Sequence, residues 1–107
     1  MIIKNSEIDY TILDEKCRRK ILAHSENLMM VEVTFDKDGV GALHKHVHEQ
    51  ISYISKGSFE FDIEGEKTLV KQGDSIYIPT NALHGVRALE DAIIIDVFTP
   101  RREDFLD

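Results

Sequence analysis

Short runs of alternating apolar and polar residues, separated by turn residues about every ten positions, fill the chain from Lys20 onward. In residues 28–35, apolar side chains alternate with Glu32 and Thr34, and the run ends at the turn residues 36–39. Alternation with a period of two is typical of a half-buried strand, and this spacing of turns is typical of a sandwich or barrel. The other predicted strands cover residues 51–55, 59–63, 68–70, 75–78, 83–88 and 92–98. Because helical periodicity is absent, we expect an all-β fold.

The first fifteen residues are compatible with two local structures. Ile8, Tyr10 and Ile12 alternate, which indicates a strand, whereas residues 6–7 could begin a helical turn. A small β-protein with a dangling first strand often lends that strand to a partner, so we expect a homodimer.

Length, composition and charge limit the kinds of protein that this chain can be. Its 107 residues, 42% of them hydrophobic, suffice for one core, so we expect a single domain over residues 1–107. A run of about 18 apolar residues and an apolar signal segment are both absent, which predicts a soluble, cytoplasmic protein without a membrane partner. The net charge of −7 argues against a nucleic-acid partner, because phosphate binding needs a basic surface.

The single cysteine, Cys17, lies in the one dense basic run, residues 16–20. It cannot form an internal disulfide, which fits a reducing compartment. The neighbouring cations could acidify the thiol and make it reactive. The alternative is an edge strand with solvated charges and an incidental cysteine.

Metal-binding side chains occur at alternate positions after residue 43. His44 and His46 would share one face of an extended strand, and Gln50 could face the same ion from a neighbouring strand after a turn. His84 would complete the set. A single histidine is more often a surface or core residue than a ligand, so the hypothesis depends on all of these positions together.

The sequence leaves open the roles of four further side chains. His48 lies in the predicted turn, where it would either contact the site or substrate or stand exposed in solvent. His24, at the end of an early strand, is expected on the surface. Tyr53 and Tyr77 would lie either in the pocket or in the core.

The spacing of these ligands resembles that of cupins, double-stranded β-helices or jelly-roll barrels that hold a metal in the barrel mouth. The first cupin motif corresponds to residues 39–57 and the second to residues 73–88. The matching positions are His44, His46, Gln50, Gly57, Gly73, Pro79, Asn81 and His84. The resemblance implies one divalent metal ion, held by the three histidines and Gln50.

One departure from the cupin pattern changes the expected chemistry. Gln50 stands where most cupins carry glutamate, so the ligand set is neutral and a bound dication keeps its full charge. We expect weaker metal binding and a stronger Lewis acid. Glu49 is the alternative ligand, but a shift of one residue in a strand turns the side chain to the other face.

Two further departures concern turns. Asn81 replaces a glycine, a mild change because asparagine tolerates left-handed backbone geometry. Asp38 also stands where the family has glycine, so we expect Gly39 or Gly41 to make that turn instead. Ala88 replaces a usual asparagine without consequence for the site.

A second, narrower resemblance is to small cupins of pectin and alginate breakdown. The similar segments are residues 21–24, 28–31, 44–50, 56–61 and 96–105. Those proteins use a site of three histidines and one glutamine, and they speed the opening of 4,5-unsaturated monouronates to linear keto-acids. In that family an aspartate, a phenylalanine and an arginine line the pocket, and they match Asp96, Phe98 and Arg102.

Elementary chemistry suits these three residues to those roles. Asp96 and Phe98 are two apart on the last strand, so both can face the barrel interior, one to move a proton and one to contact a sugar ring. Arg102 follows that strand in the tail, residues 99–107, which we expect near the barrel mouth, and its planar guanidinium can grip a uronate carboxylate. Arg101 competes for that role, although the spacing favours its neighbour.

The expected function is therefore metal-dependent ring opening of unsaturated sugar acids. The metal could be Ni, Zn, Mn, Fe or Co, because imidazole and amide oxygen discriminate poorly among them. Two alternatives stay open, because a fold does not fix a function. One is a non-enzymatic binder of sugar acids or metal, and the other is an Fe(II)-dependent oxygenase.

Overall fold

The computed structural model describes residues 1–106 and contains ten β-strands within them. The strands are β1 (Thr11–Asp14), β2 (Cys17–His24), β3 (Met29–Phe35), β4 (Val40–His44), β5 (Glu49–Lys56), β6 (Ser58–Ile63), β7 (Glu66–Lys71), β8 (Ser75–Ile78), β9 (His84–Ala88) and β10 (Ala92–Thr99). Two 3-10 turns, Asn5–Glu7 and Glu103–Phe105, are the helical segments in this part of the chain. The all-β prediction is confirmed, as is each strand predicted after residue 27. Within residues 1–106, no helix is long and apolar enough to cross a membrane.

The strands form two antiparallel sheets that face each other. The larger sheet has the order β1-β2-β3-β10-β5-β8 and the smaller one the order β4-β9-β6-β7. Consecutive strands β4 and β5 thus belong to different sheets, so the sequence-based placement of Gln50 on a strand beside that of His44 is wrong. The two side chains instead line one cavity from opposite sheets.

The apolar core fills the space between the sheets. Phe59, Ile54 and Ile78 are fully buried there, and the rings of Phe35 and Phe59 meet edge to face with centroids 5.3 Å apart. A second, smaller cluster of Met29, Val31 and Phe98 lies beside the cavity described below. Each fully buried side chain of this size stabilises the fold by about 1.5–3 kcal/mol.

The amino-terminal segment combines both structures that its sequence allows. The 3-10 turn at Asn5–Glu7 precedes β1, which pairs with β2 of its own sheet rather than extending freely. β2 therefore lies between β1 and β3, and the predicted edge position of the basic run is wrong. On its outer face Lys20 Nζ donates hydrogen bonds to the backbone and side-chain oxygens of Asn5, at 3.0 and 2.9 Å.

Cys17 is buried in the core, with 5% of its surface exposed. Burial, more than any neighbouring charge, raises the pKa of its thiol to about 11. The hypothesis of an acidified, reactive cysteine is therefore wrong, because desolvation outweighs the cations beside it.

Two turn predictions have opposite outcomes. Asn81 adopts the left-handed geometry expected of it, with φ of 61°. Asp38 itself takes positive φ, 71°, so the prediction that Gly39 or Gly41 would replace it is wrong. Aspartate, like asparagine, visits this region at modest cost, and the Asp38 N–H donates to the carbonyl of Ala88 at 2.9 Å.

Candidate metal centre and adjoining pocket

A cavity of about 250 Å³ lies between the sheets and is lined by residues from both of them. Six of the seven side chains singled out from the sequence line it, namely His44, Gln50, His84, Asp96, Phe98 and Arg102. The seventh, His46, is half-buried beside them, with its ring centroid 5.1 Å from that of His84. The seven predicted site residues therefore lie together at this cavity.

The three histidines come from three different places in the chain. His44 ends β4 and lies directly opposite His84, which begins β9 of the same sheet. His46 lies past the end of β4, in the loop that crosses to the larger sheet. The expectation that His44 and His46 share one strand is thus wrong, although their ring centroids are only 5.5 Å apart.

Backbone carbonyls fix the orientation of all three imidazole rings. The Nδ1 atoms of His44, His46 and His84 lie 2.9, 3.0 and 2.9 Å from the carbonyl oxygens of residues 42, 48 and 82. A carbonyl can only accept, so each Nδ1 donates its hydrogen and each Nε2 keeps a free lone pair. Histidines that bind metals usually donate their other ring N–H to a carbonyl or carboxylate in this way.

These rings form a cluster that could hold a metal ion, since one ligand nitrogen from each lies within 4.8 Å of the others. Burial is the main cause that lowers the pKa of His46 and of His84, which favours the neutral imidazole that binds a metal. Arg102 lowers both values further.

Gln50 is held with its side-chain oxygen toward His46. Its amide nitrogen donates to Ser52 Oγ at 2.9 Å and to Asp96 Oδ1 at 3.1 Å. Its Oε1 therefore faces His46 Nε2, 3.0 Å away. Both of these atoms carry lone pairs and neither carries a hydrogen, so the contact is unfavourable unless a cation lies beside them. This geometry fits a metal ion bound by both.

Glu49 lies on the opposite face of β5, as the alternation of a strand predicts. Its carboxylate is exposed and accepts a hydrogen bond from the Tyr77 hydroxyl at 2.6 Å. Tyr77 and Tyr53 are both about half exposed, at 54% and 48%, so neither lies in the pocket or the core.

Among the described residues that line the cavity, Asp96 is the only acidic one. The Ser52 hydroxyl donates to its Oδ1 at 2.6 Å, and the Gln50 amide donates to the same oxygen. Burial raises the pKa of Asp96 to about 6, although both hydrogen bonds act in the opposite direction. A carboxyl group with such a pKa can exchange a proton near neutral pH.

One wall of the cavity combines two aromatic rings with two guanidinium groups. The rings of Phe98 and Phe105 meet edge to face with centroids 5.8 Å apart. The Arg102 guanidinium lies 5.2 Å from the first ring and 4.3 Å from the second, and the Arg19 guanidinium lies 3.8 Å from the ring of Phe105. Arg102 and Phe105 of the tail thus line the cavity, whereas Asp107 lies outside the described residues.

The two arginines of the tail have different surroundings. Arg102 lines the cavity, with 11% of its side chain exposed, and its Nε and Nη2 donate to the two carboxylate oxygens of Asp104 at 3.0 and 2.8 Å. These bonds are the main cause that lowers the pKa of Asp104. Arg101 is not among the cavity residues and pairs with Glu103 at 2.8 Å.

The remaining two histidines differ in their distance from the site. The ring of His48 lies 6.3 Å from that of Phe98, and its buried Nδ1 has no hydrogen-bond partner within residues 1–106. His24 is half-buried at the end of β2, where its Nδ1 bonds to the carbonyl of Leu22. It lies outside the cavity lining.

Sequence reasoning missed Ser52, Arg19 and Phe105. Ser52 is two residues from Gln50 on a predicted strand, so the period of two could have placed both on one face. Arg19 lies two residues after Cys17, but its basic neighbours favoured the interpretation that it faces solvent. Phe105 carried no local signal, because the path of the tail depends on tertiary packing.

Comparisons with known proteins agree with this geometry. The sequence profile of the cupin domain (Cupin_2) matches residues 31–98. The pectin degradation protein KdgF of Dickeya dadantii (strain 3937) is 45% identical over 104 residues, which cover 95% of this chain and 94% of that protein.

Solved structures give the same result. The structure of KdgF from a Halomonas species superimposes with a TM-score of 0.95 at 42% identity, covering 98% of this chain and 97% of that one. An RmlC-like cupin from Shewanella frigidimarina NCIMB 400 gives a TM-score of 0.94 at 32% identity, with 97% and 94% covered. These findings confirm the predicted jelly-roll architecture. The chain belongs to the cupin family and is a homologue of the pectin degradation protein KdgF.

Proposed function

We propose that this cupin is a metal-dependent enzyme of pectin breakdown that opens the ring of 4,5-unsaturated monouronates to linear keto-acids. The observation that carries this proposal is the amide of Gln50, whose oxygen faces the histidine cluster while its nitrogen bonds to Asp96. It joins a candidate metal site and a candidate proton carrier in one cavity. The relationship to a pectin degradation protein supports the substrate class.

The metal ligands in this proposal are the three clustered histidines together with Gln50. The facing lone pairs of His46 and Gln50 support the inclusion of the glutamine. A divalent ion bound there would polarise a substrate oxygen without changing its own redox state. Nitrogen and amide-oxygen ligands are compatible with Ni, Zn, Mn, Fe or Co.

Three side chains of the cavity act on the substrate. Arg102 orients the uronate carboxylate, and Phe98 packs against the sugar ring. Asp96 moves the proton: because its Oδ1 is held by two donors, Oδ2 is the oxygen that transfers the proton. Addition of water to the enol ether places this proton on C4 and hydroxide on C5. The resulting hemiketal opens when the bond between C5 and the ring oxygen breaks.

The test is the loss of ultraviolet absorbance when metal-loaded protein is added to a 4,5-unsaturated monouronate. We expect faster decay than in a protein-free control, no acceleration by Asp96→Asn, and full activity of Glu49→Gln, the matched change on the opposite face of β5. Activity must persist without oxygen or reductant, since an oxygen requirement would indicate an Fe(II) oxygenase. Saturable binding with no turnover would leave only a sugar-acid binder.

We also propose that the protein forms homodimers through the outer face of the larger sheet. Cross-strand neighbours Tyr77, Ile51, Val97 and Met30 form an apolar row there, and the exposed fractions of the first, second and fourth are 54%, 54% and 40%. Light scattering should give twice the chain mass, and Ile51→Glu should give a monomer; a monomeric parent protein would contradict this. The cytoplasmic location stays a prediction.

A further inference from the structure

Arg19 faces the cavity from the middle of β2. Cys17 and Arg19, two residues apart, both line the cavity, and Ile21 packs against the cluster beside it. Arg18 has the opposite orientation, pairing with Asp36 at 3.3 Å on the outer surface. The alternation of the strand therefore directs one of two adjacent arginines into the pocket.

Arg19 forms no ion pair within residues 1–106. Its guanidinium also forms no hydrogen bond with these residues, and its Nε is buried without a partner. Burial is the main cause that lowers its pKa; the nearby charge of Asp104 raises its pKa, but that carboxylate is bonded to Arg102. Arg19 is half-buried, and a partly desolvated charge without a bonded partner favours an incoming anion.

Arg102 packs on the same Phe105 ring as Arg19 but already has an ion-pair partner. Two of its three nitrogens already bind the carboxylate of Asp104, which occupies one edge of the guanidinium and offsets its charge. The stacking of Arg19 on Phe105, at 3.8 Å, uses only the face of its guanidinium. The two terminal nitrogens of Arg19 form no hydrogen bond within residues 1–106 and are left for a planar carboxylate.

We propose that Arg19 binds the substrate carboxylate and is a specificity-determining residue that selects sugar acids over neutral sugars. The identity of the substrate rests on the proposed function, whereas the recognition of a carboxylate rests on the arginine itself. Arg19 and Arg102 together form a two-guanidinium wall, in which only Arg102 is bonded to a carboxylate of the described chain.

The experiment compares Arg19→Gln, Arg19→Lys and Arg18→Gln, each loaded with metal and checked for equal metal content and a cooperative thermal transition. With the unsaturated monouronate, Arg19→Gln should raise KM by about tenfold to a hundredfold, the usual worth of charge-assisted hydrogen bonds, with kcat within about threefold. The KM of Arg19→Lys should lie between those of the parent protein and Arg19→Gln, because lysine keeps the positive charge but lacks the planar, two-pronged donor geometry of the guanidinium. Arg18→Gln should match the parent protein.

A second measurement separates this inference from the proposed function. Calorimetry with galacturonate and galactose tests carboxylate recognition without turnover, and only the acid should bind more weakly to Arg19→Gln. If the parent protein opens the unsaturated ring while Arg19→Gln keeps its KM and its preference for the acid, the role of Arg19 is overturned and the activity stands. If the parent protein is inactive, the galacturonate titrations alone decide. Should Arg19→Gln not fold, Arg19→Lys decides by the same criteria.

Discussion

Ser52 connects the candidate metal site to the candidate acid through a single hydroxyl group. It accepts from the amide of Gln50 and donates to Asp96. A side chain so small and fully buried is easily taken for packing. Its position instead fixes which end of the Gln50 amide faces the histidines.

Replacing Ser52 tests this orienting role. We expect Ser52→Ala to lower metal affinity about tenfold to a hundredfold, as for other residues that hold a metal ligand in place, while all four proposed ligands remain. Competition with a chromogenic chelator measures the affinity. Ser55→Ala is the control, because within residues 1–106 that hydroxyl bonds only to the carbonyl of Ile93, at 3.4 Å. Equal affinities of the two variants would contradict the assignment.

The thiol of Cys17 should be inert in the native protein. With its pKa raised from 9.0 to about 11, the reactive thiolate at pH 8 is about a hundredfold rarer than in the unfolded chain. We expect iodoacetamide to modify the native protein at least a hundredfold more slowly than the urea-unfolded protein. Because the folded pKa is the higher one, this group's contribution to stability is complete below pH 9.0 and is lost as the pH rises through about 11. Similar alkylation rates in the native and the urea-unfolded protein would refute the prediction of an inert thiol.

At the scale of strands and turns, two glycines allow the effect of backbone strain to be distinguished from that of a steric clash. Gly57 and Gly73 both have positive φ, 76° and 95°. A Cβ at Gly57 would lie 2.6 Å from the Asp91 carbonyl oxygen, whereas a Cβ at Gly73 would meet nothing within 4 Å.

The corresponding alanine variants should therefore differ in stability. Gly73→Ala should lower the free energy of unfolding by about 1–2 kcal/mol through backbone strain alone. Gly57→Ala should lower it by about 3 kcal/mol or more, because displacement of β10 adds to that strain. Urea denaturation measures both values, and equal losses would show that the contact at Gly57 relaxes freely.

The sequence predicts the strands well and brings the candidate ligands to one cavity, because both inferences rest on local spacing. The alternation in β3 and the interval between His44 and Gln50 need no knowledge of the third dimension. The sheet that each strand joins does need it, so the positions of β4 and β5 relative to each other could not be predicted. Arg19 was missed for the same reason, since only tertiary packing shows which face of β2 lines the cavity.

At the scale of the whole molecule, the candidate metal site bridges the two sheets. His44 and His84 belong to the smaller sheet and Gln50 to the larger one. An ion bound by all of them would stabilise the folded chain over the unfolded one, in which these residues are far apart.

Metal removal should therefore lower the melting temperature. At a metal concentration about 100 times the Kd, binding contributes about 2.7 kcal/mol, which corresponds to about 10 °C for a chain of this size. We expect a chelator to abolish this increment in the parent protein and in His24→Ala, whose side chain lies outside the cavity. The melting temperature of His84→Ala should be the same with and without metal. A parent melting temperature that is independent of metal would contradict a site across the sheets.

The division of the pocket between its two sheets also bears on how such a protein can diversify. The smaller sheet carries two of the clustered histidines, while Arg19, Asp96 and Phe98 lie on β2 and β10 of the larger one. Changes on those two strands leave His44 and His84 in place. Directed evolution confined to the larger sheet could therefore retarget the pocket to new acids while the histidines of the smaller sheet are inherited unchanged.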